Sequence, residues 1–137
     1  MRVLENSLSY ETYYSLRESV GWKNFCREQA ECAISKSYFS LMIQDNETDI
    51  AMGRVIGDGM YFTIVDVVVR PEYQGQGIGS MIIQKILKHI EEKLPIGGRA
   101  SIQLISEMGK EQFYIKQGFK LIPHEYCGPA LRKVIHK

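Results

Sequence analysis

The chain has 137 residues, of which 45% are hydrophobic and 24% are charged, and its formal net charge at pH 7 is +1. This length and apolar content predict a single domain over residues 1–137 and argue against a disordered tail or a fibrous repeat. A near-zero net charge excludes a general electrostatic attraction to nucleic acid or to an anionic membrane. No run of about 18 apolar residues predicts a membrane span, and residues 1–6 lack the apolar core of a signal peptide. We therefore expect a cytoplasmic protein with no nucleic acid and no membrane partner.

The three cysteines, Cys26, Cys32 and Cys127, include no Cys-x-x-Cys pair. An odd number of cysteines without that spacing favours reduced thiols over a disulfide framework or a zinc site. We expect these cysteines to be core or helix-surface residues, and we expect no metal.

Two helices are predicted before the first strand. Apolar and aromatic side chains recur at three- and four-residue spacings over residues 10–20, which predicts a helix with Ser9 as its N-cap. Gly21 and Trp22 end this pattern. A weaker helical pattern covers residues 25–35.

The middle of the chain is rich in strand-forming side chains. Residues 38–43 and 50–56 are separated by a polar turn, which predicts an antiparallel hairpin. The strongest predicted strand covers residues 60–70. Its segment 64–69 is apolar on both faces apart from Asp66, which is typical of a central strand covered by helices.

The last part of the chain alternates between helix and strand patterns. The predicted elements are a helix over 77–93, a strand over 100–105, a helix over 107–117, and short strands over 119–122 and 131–135. Two helices, an antiparallel hairpin and then alternating strands and helices predict an α+β class with a mixed sheet flanked by helices.

Three glycines at alternate positions, Gly75, Gly77 and Gly79, lie between the central strand and the helix that follows it. Glycine permits backbone conformations that a Cβ disfavours, and a helix N-terminus presents unpaired amides with partial positive charge. Such a loop can bind phosphate oxygens. The alternative is a tight turn with close helix packing.

Two familiar nucleotide-binding loops do not fit this spacing. A Walker loop needs Lys and then Ser or Thr after its last glycine, and no Lys is present here. A dinucleotide fingerprint begins directly after its strand and has an acidic residue about 20 positions later. Here residues 71–74 intervene, and residues 96–98 occupy the place of that acid.

The sequence resembles the GCN5-related N-acetyltransferase (GNAT) superfamily at two separated motifs. Gln74, Gly77 and Gly79 match its acetyl-CoA signature, and Phe-Tyr-Ile-Lys-Gln-Gly-Phe at residues 113–119 is similar to its later helix-to-strand motif. The resemblance covers roughly residues 38–122. It implies the acyl-CoA N-acyltransferase fold, in which a mostly antiparallel sheet with splayed central strands is flanked by helices.

The resemblance also implies that acetyl-CoA is the acyl donor. In the family, amides of the glycine loop bind the pyrophosphate of CoA, and exposed backbone of the preceding strand pairs with the pantetheine arm. By matching position, Val67 and Val69 would supply that pairing. The full set of implied cofactor-binding residues is Val67, Val68, Val69, Gln74, Gly75, Gln76, Gly77, Ile78, Gly79 and Ser80.

Two residues are candidates for catalysis. Tyr114 matches the tyrosine that many family members use as a general acid towards the departing thiolate. Asp66 could accept the amine proton as a base, or it could be a structural residue that hydrogen-bonds to a turn or an arginine. His124, near the second motif, is an alternative base.

The implied reaction is transfer of an acetyl group from acetyl-CoA to a primary amine of a small molecule or peptide, by direct attack in a ternary complex. The alternatives are a non-catalytic acyl-CoA-binding regulatory module and a small nucleotide-binding domain. We also expect that the chain can form a homodimer. An aromatic and acidic pocket could hold the amine, with candidates Tyr13, Tyr14, Glu18, Trp22, Tyr38, Asp58 and Tyr61.

Overall fold

The structure is a computed structural model that describes all of residues 1–137. The chain divides into two compact units, residues 1–104 and residues 105–137. The expectation of a single domain stays a prediction. The elements of the first unit are β1 (Arg2–Glu5), α1 (Tyr10–Ser19), α2 (Arg27–Ser35), β2 (Phe39–Asp45), β3 (Thr48–Gly57), β4 (Tyr61–Val69), α3 (Ile78–Lys93) and β5 (Ser101–Gln103).

The strands form one five-stranded sheet in the order β1-β2-β3-β4-β5. The first four strands pair antiparallel, and β5 pairs parallel to β4. The predicted mixed sheet flanked by helices is therefore confirmed. Strand β1 was not predicted, because its four residues are too short to display an alternating pattern.

Helix α1 begins where the sequence predicts. The Thr12 N–H donates to Ser9 Oγ at 3.1 Å, which satisfies one of the free amides of the first turn. Val20 is the C-cap, and Gly21 continues the chain with a left-handed φ of 77°. Both ends of the helix are thus explained by local sequence.

One face of the sheet packs against α1 and α2. Burial of apolar surface on this face is a main favourable contribution to folding. The buried cluster comprises Leu8, Tyr13, Leu16, Ala30, Met52 and Val68, with Tyr10, Val20, Trp22 and Ile34 packed against it.

The opposite face packs against α3, whose predicted apolar stripe is buried through Ile78, Ile82, Ile83, Ile86 and Ile90. A Cβ on Gly53 would lie closer than 3.0 Å to Cγ2 of Ile82. The close approach of α3 to β3 therefore requires glycine at this position.

The second unit contains one short helix, α4 (Glu111–Ile115). It begins four residues later than predicted because Gly109 has a left-handed φ of 87°, which a continuous α-helix does not allow. Gly118, with φ of 97°, follows the helix as predicted.

The predicted strands over 119–122 and 131–135 are wrong. A strand is stabilised by hydrogen bonds to a neighbouring strand. An alternating pattern of side chains in the sequence does not show whether such a neighbour exists. The pairing nearby is an isolated bridge between His124 and Cys127. Leu131 and Ile135 are 95% and 82% exposed, so no packing compensates for the missing neighbour.

None of the helices is both long and apolar enough to cross a membrane.

Candidate functional site

The glycine loop, residues 74–79, connects β4 to α3. Gly75 and Gly77 have left-handed φ values of 79° and 82°, and Gly77 is the N-cap of α3. Gly77 has no side chain, so the N-cap residue makes no side-chain hydrogen bond to the first amides of this 16-residue helix. These amides carry the positive end of the helix dipole.

Packing does not explain the two loop glycines. A Cβ on Gly75 or Gly77 would meet no atom within 4 Å, so neither residue is needed for close helix contact. Both are required instead by the backbone conformation. The loop therefore fits the phosphate-binding interpretation. Close helix packing, the other interpretation, does not account for glycine at these two positions.

Side chains around the loop fix it to the sheet. Nε2 of Gln74 donates to the Val69 carbonyl at 2.9 Å, and the Tyr73 hydroxyl donates to Oδ2 of Asp45 at 3.2 Å. Arg70 donates from Nε to a backbone carbonyl of β3 at 2.7 Å. The side chain of Gln74 thus ties the loop to the end of β4, and the Gln74 N–H donates to the Pro71 carbonyl at 3.2 Å.

The edge of β4 that faces away from β3 is largely unpaired. Strand β5 pairs with β4 only at Tyr61, Phe62 and Thr63. From residue 64 to residue 69 this side of β4 has no neighbouring strand. We call this stretch the open edge, and it corresponds to the splayed strands implied by the family resemblance.

The backbone of Val69 points to the open edge. The Arg70 N–H donates to the Ile50 carbonyl at 2.9 Å, and Val69 stands opposite Ala51. Because hydrogen-bonded and non-bonded pairs alternate along an antiparallel ladder, Val69 must be non-bonded towards β3. Val68 is then bonded to β3, and its side chain is 2% exposed, so it does not share the open edge.

A bulge interrupts β4 within the open edge. Gly53 of β3 stands opposite both Asp66 and Val67. Asp66 has a left-handed φ of 56°, a conformation that aspartate tolerates better than most residues. The extra residue leaves Asp66 and Val67 outside the regular ladder with β3.

The Asp66 side chain is the centre of a buried polar cluster, which we call the Asp66 cluster. Its Oδ1 accepts a hydrogen bond from Arg17, and its Oδ2 accepts from Arg54 Nε at 2.9 Å and from the Tyr13 hydroxyl at 3.1 Å. The side chains of Asp66, Arg54 and Arg17 are only 5%, 10% and 11% exposed. These contacts favour the structural alternative for Asp66 over a free base, because both oxygens already accept hydrogen bonds.

The Asp66 cluster also reaches the two helices. Arg17 donates to the Lys23 carbonyl at 2.6 Å, in the segment between α1 and α2. Arg54 donates to Ser37 Oγ at 3.2 Å, just beyond α2. Burial raises the pKa of the Tyr13 phenol, and the negative charge of Asp66 adds to that effect.

The predicted aromatic pocket for an amine is not assembled as expected. The Arg17 guanidinium lies over the rings of Tyr13, Trp22 and Phe25 at 5.5, 5.3 and 5.2 Å from their centroids. The ring faces of Tyr13 and Trp22 are thus already in contact with a cation of the protein itself.

The remaining pocket candidates are dispersed over the first unit. Tyr38 lines a cavity of about 580 Å³ beside α2, whereas Tyr61 and Asp58 line a separate cavity of about 340 Å³. The Asp58 carboxylate accepts hydrogen bonds from the Met60 and Tyr61 amides of its own turn.

The predicted acid and the alternative base lie in the second unit. Tyr114 is half-buried on α4, where its ring meets those of Phe113 and Phe119 at 5.0 and 6.2 Å. Burial raises the pKa of the Tyr114 phenol, and the negative charge of Glu107 contributes further. His124 is exposed on a turn, and its Nδ1 accepts a hydrogen bond from the Tyr126 amide at 3.3 Å.

Comparison with protein families shows the family of the chain. The model of the acetyltransferase (GNAT) domain matches residues 36–121, which is well over half of the chain. The chain belongs to the GNAT family of acetyltransferases. The resemblance seen in the sequence is thereby confirmed.

Relatives of this GNAT chain carry the name N-acetyltransferase. The uncharacterized N-acetyltransferase ycf52 of Gracilaria tenuistipitata is 33% identical over 94 residues, which cover 61% of this chain and 52% of that protein. Serotonin N-acetyltransferase 2 of rice, a chloroplastic protein, is 33% identical over 82 residues, or 59% of this chain and 39% of that protein. The chain spans about half or less of the length of these curated relatives. Since the second relative is chloroplastic, the cytoplasmic location stays a prediction.

A solved structure resembles the whole chain. A protein of unknown function from methicillin-resistant Staphylococcus aureus is 33% identical, with a TM-score of 0.83 over 97% of this chain and 98% of that one. This match confirms the acyl-CoA N-acyltransferase fold implied by the motifs.

Sequence reasoning missed Arg17 and Arg54, which hold Asp66. A signal was present, since an aspartate buried in a central strand requires a cation or several donors. Arg17 lies one helical turn after the buried Tyr13. Arg54 lies two residues after the buried Met52, on the same face of β3. Each arginine therefore lies on an inward-facing position.

Proposed function

We propose that this GNAT chain transfers an acetyl group from acetyl-CoA to a primary amine, by direct attack of the amine in a ternary complex. The observation that carries the proposal is the open edge of β4, which leads directly into the glycine loop and the N-terminus of α3. An anion at the loop would meet the positive end of the helix dipole, and an extended arm along the edge would meet strand backbone that has no neighbouring strand.

The residues present fit acetyl-CoA as the donor. The amides of the glycine loop, from Gly75 to Gly79, would bind the pyrophosphate, and the Val69 N–H and the backbone of Val67 would pair with the amide groups of the pantetheine arm. The arm would run from the loop towards the bulge at Asp66. When bound, acetyl-CoA supplies an activated acyl group whose thiolate leaves as the amine attacks.

Tyr114 is our candidate proton donor for the departing thiolate. A phenol ionises with a pKa of about 10, and burial raises the pKa of Tyr114 further. The phenol is therefore protonated throughout the neutral range and can donate. We assign Asp66 no proton transfer, because its oxygens accept hydrogen bonds from Arg17, Arg54 and Tyr13. The pH dependence of kcat/KM should then follow the ionisation of the acceptor amine.

The acceptor is proposed as a primary amine of a small molecule or a peptide. The rice relative is named for serotonin, which carries a primary amine. We infer no narrower class for this chain.

A panel of acceptors tests the proposed reaction. Release of free CoA thiol from acetyl-CoA is measured with polyamines, arylalkylamines, amino sugars and peptide N-termini. Acetylation of any class above the rate of hydrolysis supports the enzyme. Tight acetyl-CoA binding without transfer to any class would instead identify a non-catalytic acyl-CoA-binding module.

Binding competition tests the third alternative. Calorimetry compares CoA with its adenosine bisphosphate fragment, which lacks the pantetheine arm. The proposed site predicts clearly weaker binding of the fragment because the open edge of β4 remains unpaired. Equal affinity would indicate a nucleotide-binding domain.

Replacing Tyr114 with Phe tests the proton donor. We expect kcat to fall by about tenfold or more, with acetyl-CoA affinity changed by no more than about twofold. The control is Tyr126→Phe, because Tyr126 lies in the same unit and is 84% exposed. An unchanged kcat in Tyr114→Phe across the pH range would remove the acid role.

A further inference from the structure

We propose that Arg17 is a positioning residue which, together with Arg54, holds Asp66 in its left-handed conformation and so fixes the β4 bulge at the acetyl end of the donor. This inference rests on the proposed function, because it concerns the same open edge.

The conformation of Asp66 needs support from its surroundings. A non-glycine residue with a φ of 56° is less stable in isolation than one in an extended strand. Strained residues of this kind persist where several contacts over-determine them, and they concentrate at functional sites. Here the contacts are three hydrogen bonds to one carboxylate, two of them from guanidinium groups.

The positions of these contacts determine what they hold. Arg17 reaches Asp66 from α1, and Arg54 reaches it from β3, so the carboxylate is fixed from two elements. Asp66 is followed directly by Val67, the last residue of the proposed pantetheine track. Any movement of Asp66 therefore moves the backbone groups of Val67.

Arg17 also connects the bulge to the segment between α1 and α2. Its second terminal nitrogen donates to the Lys23 carbonyl, while the first binds Asp66. A lysine has one terminal nitrogen and lacks the planar fork, so it cannot reproduce this pair of contacts. Arg17 thus sets the distance between the bulge and that segment.

A kinetic experiment separates positioning from general stability. The test variants are Arg17→Lys, which breaks the double contact, and Asp66→Gly, which permits the left-handed backbone but removes the clamp. We expect kcat to fall on the order of 10- to 100-fold in both, because misplacement by about 1 Å has effects of this size. The KM for acetyl-CoA should stay within about twofold, because the glycine loop is intact.

The control substitution is Arg27→Lys. Arg27 forms ion pairs with Glu11 and Glu31 but is 62% exposed on the surface of α2. It should retain wild-type kcat. Rates are expressed per CoA-binding site, so that a loss of folded protein does not imitate a loss of kcat.

A spectroscopic measurement reads the position of the donor without an acceptor. The carbonyl stretching frequency of acetyl-CoA labelled with ¹³C at the thioester carbon is recorded on the protein by difference infrared spectroscopy. If the bulge positions the donor, we expect a hydrogen bond from its backbone to lower this frequency in the wild type. Arg17→Lys and Asp66→Gly should return it towards the value in water, and Arg27→Lys should not.

The outcomes are distinguishable. Wild-type kcat and frequency in Arg17→Lys and Asp66→Gly would overturn the positioning role. If these variants do not fold, the milder Asp66→Asn decides, since unchanged kcat and frequency in that folded variant would equally overturn it. A wild type that binds acetyl-CoA but acetylates no amine contradicts the proposed function, and the carbonyl frequency still tests the positioning.

Discussion

The glycine loop after β4 and the bulge within β4 both use left-handed backbone, but they hold it in opposite ways. In the glycine loop, Gly75 and Gly77 are exposed and have no atom near the place of a Cβ. In the bulge, Asp66 is buried and its side chain is held by Arg17, Arg54 and Tyr13. The loop relies on the conformational freedom of glycine, whereas the bulge relies on the hydrogen bonds that hold the Asp66 side chain.

This difference predicts different consequences of mutation. Changes in the loop should reduce ligand binding with a modest effect on folding. Changes in the Asp66 cluster should reduce the free energy of unfolding strongly, because they leave buried charges without a partner.

The largest effect is expected for Asp66→Ala. Removing the carboxylate leaves the guanidinium groups of Arg17 and Arg54 without their partner, and both side chains are only about one tenth exposed. Breaking a buried ion pair in this way lowers the free energy of unfolding by about 3–5 kcal/mol. Urea denaturation at pH 7 measures it. Glu31→Ala, which breaks the exposed pair with Arg27, is the control and should change little. A loss as small as that of the control would mean that the cluster does not hold the bulge.

Gly53→Ala tests the residue opposite the bulge. Its new Cβ would collide with Cγ2 of Ile82, and overpacking of this kind destabilises by about 1–3 kcal/mol. Ile82→Leu removes that methyl group from Cβ. The double variant Gly53→Ala/Ile82→Leu should therefore be more stable than the sum of the two single changes predicts. Urea denaturation of the three variants measures the difference. Strict additivity would refute the proposed collision.

Gly77→Ala tests the glycine loop. A Cβ meets no atom there, so the free energy of unfolding should fall only by the backbone strain of about 1–2 kcal/mol. Acetyl-CoA affinity, measured by calorimetry, should fall by about tenfold or more because the loop amides are displaced. Gly59→Ala is a matched control, since Gly59 also has a left-handed φ, of 99°, and open space around it. Equal losses of affinity in the two variants would show that the loop has no special role.

The smallest effect is a pH dependence due to Tyr13. Burial and the charge of Asp66 raise the pKa of this phenol in the folded state. Its contribution to stability is therefore complete below pH about 10 and is lost as the pH rises above that value, where the unfolded chain ionises first. Urea midpoints between pH 9 and pH 11 should fall more steeply for the wild type than for Tyr13→Phe. Parallel curves would disprove this contribution.

The sequence predicts the parts of the site that depend on residue type. The positions of Gly75 and Gly77, the Ser9 cap and the isoleucine stripe of α3 follow from local propensity and spacing, and the structure places them as predicted. The fold class follows from the order of these elements.

What the sequence could not predict depends on partners distant along the chain. Asp66 has contacts 49 and 53 residues away, at Arg17 and Tyr13, and no local pattern specifies such pairs. The bulge arises from the register between β3 and β4, which is a property of two strands together. The two wrong strands of the second unit failed for the same reason, because alternation was present without a neighbour.

The unpaired side of β4 has one more consequence, for the folding equilibrium itself. Along residues 64–69 one side of β4 has no neighbouring strand, so an extended molecule from outside the chain can pair with the backbone there. Whatever extended molecule pairs there acts as an additional strand, and it stabilises the folded chain in proportion to the logarithm of its concentration. If acetyl-CoA pairs there as proposed, the folded fraction of the chain would rise with the supply of its own acyl donor.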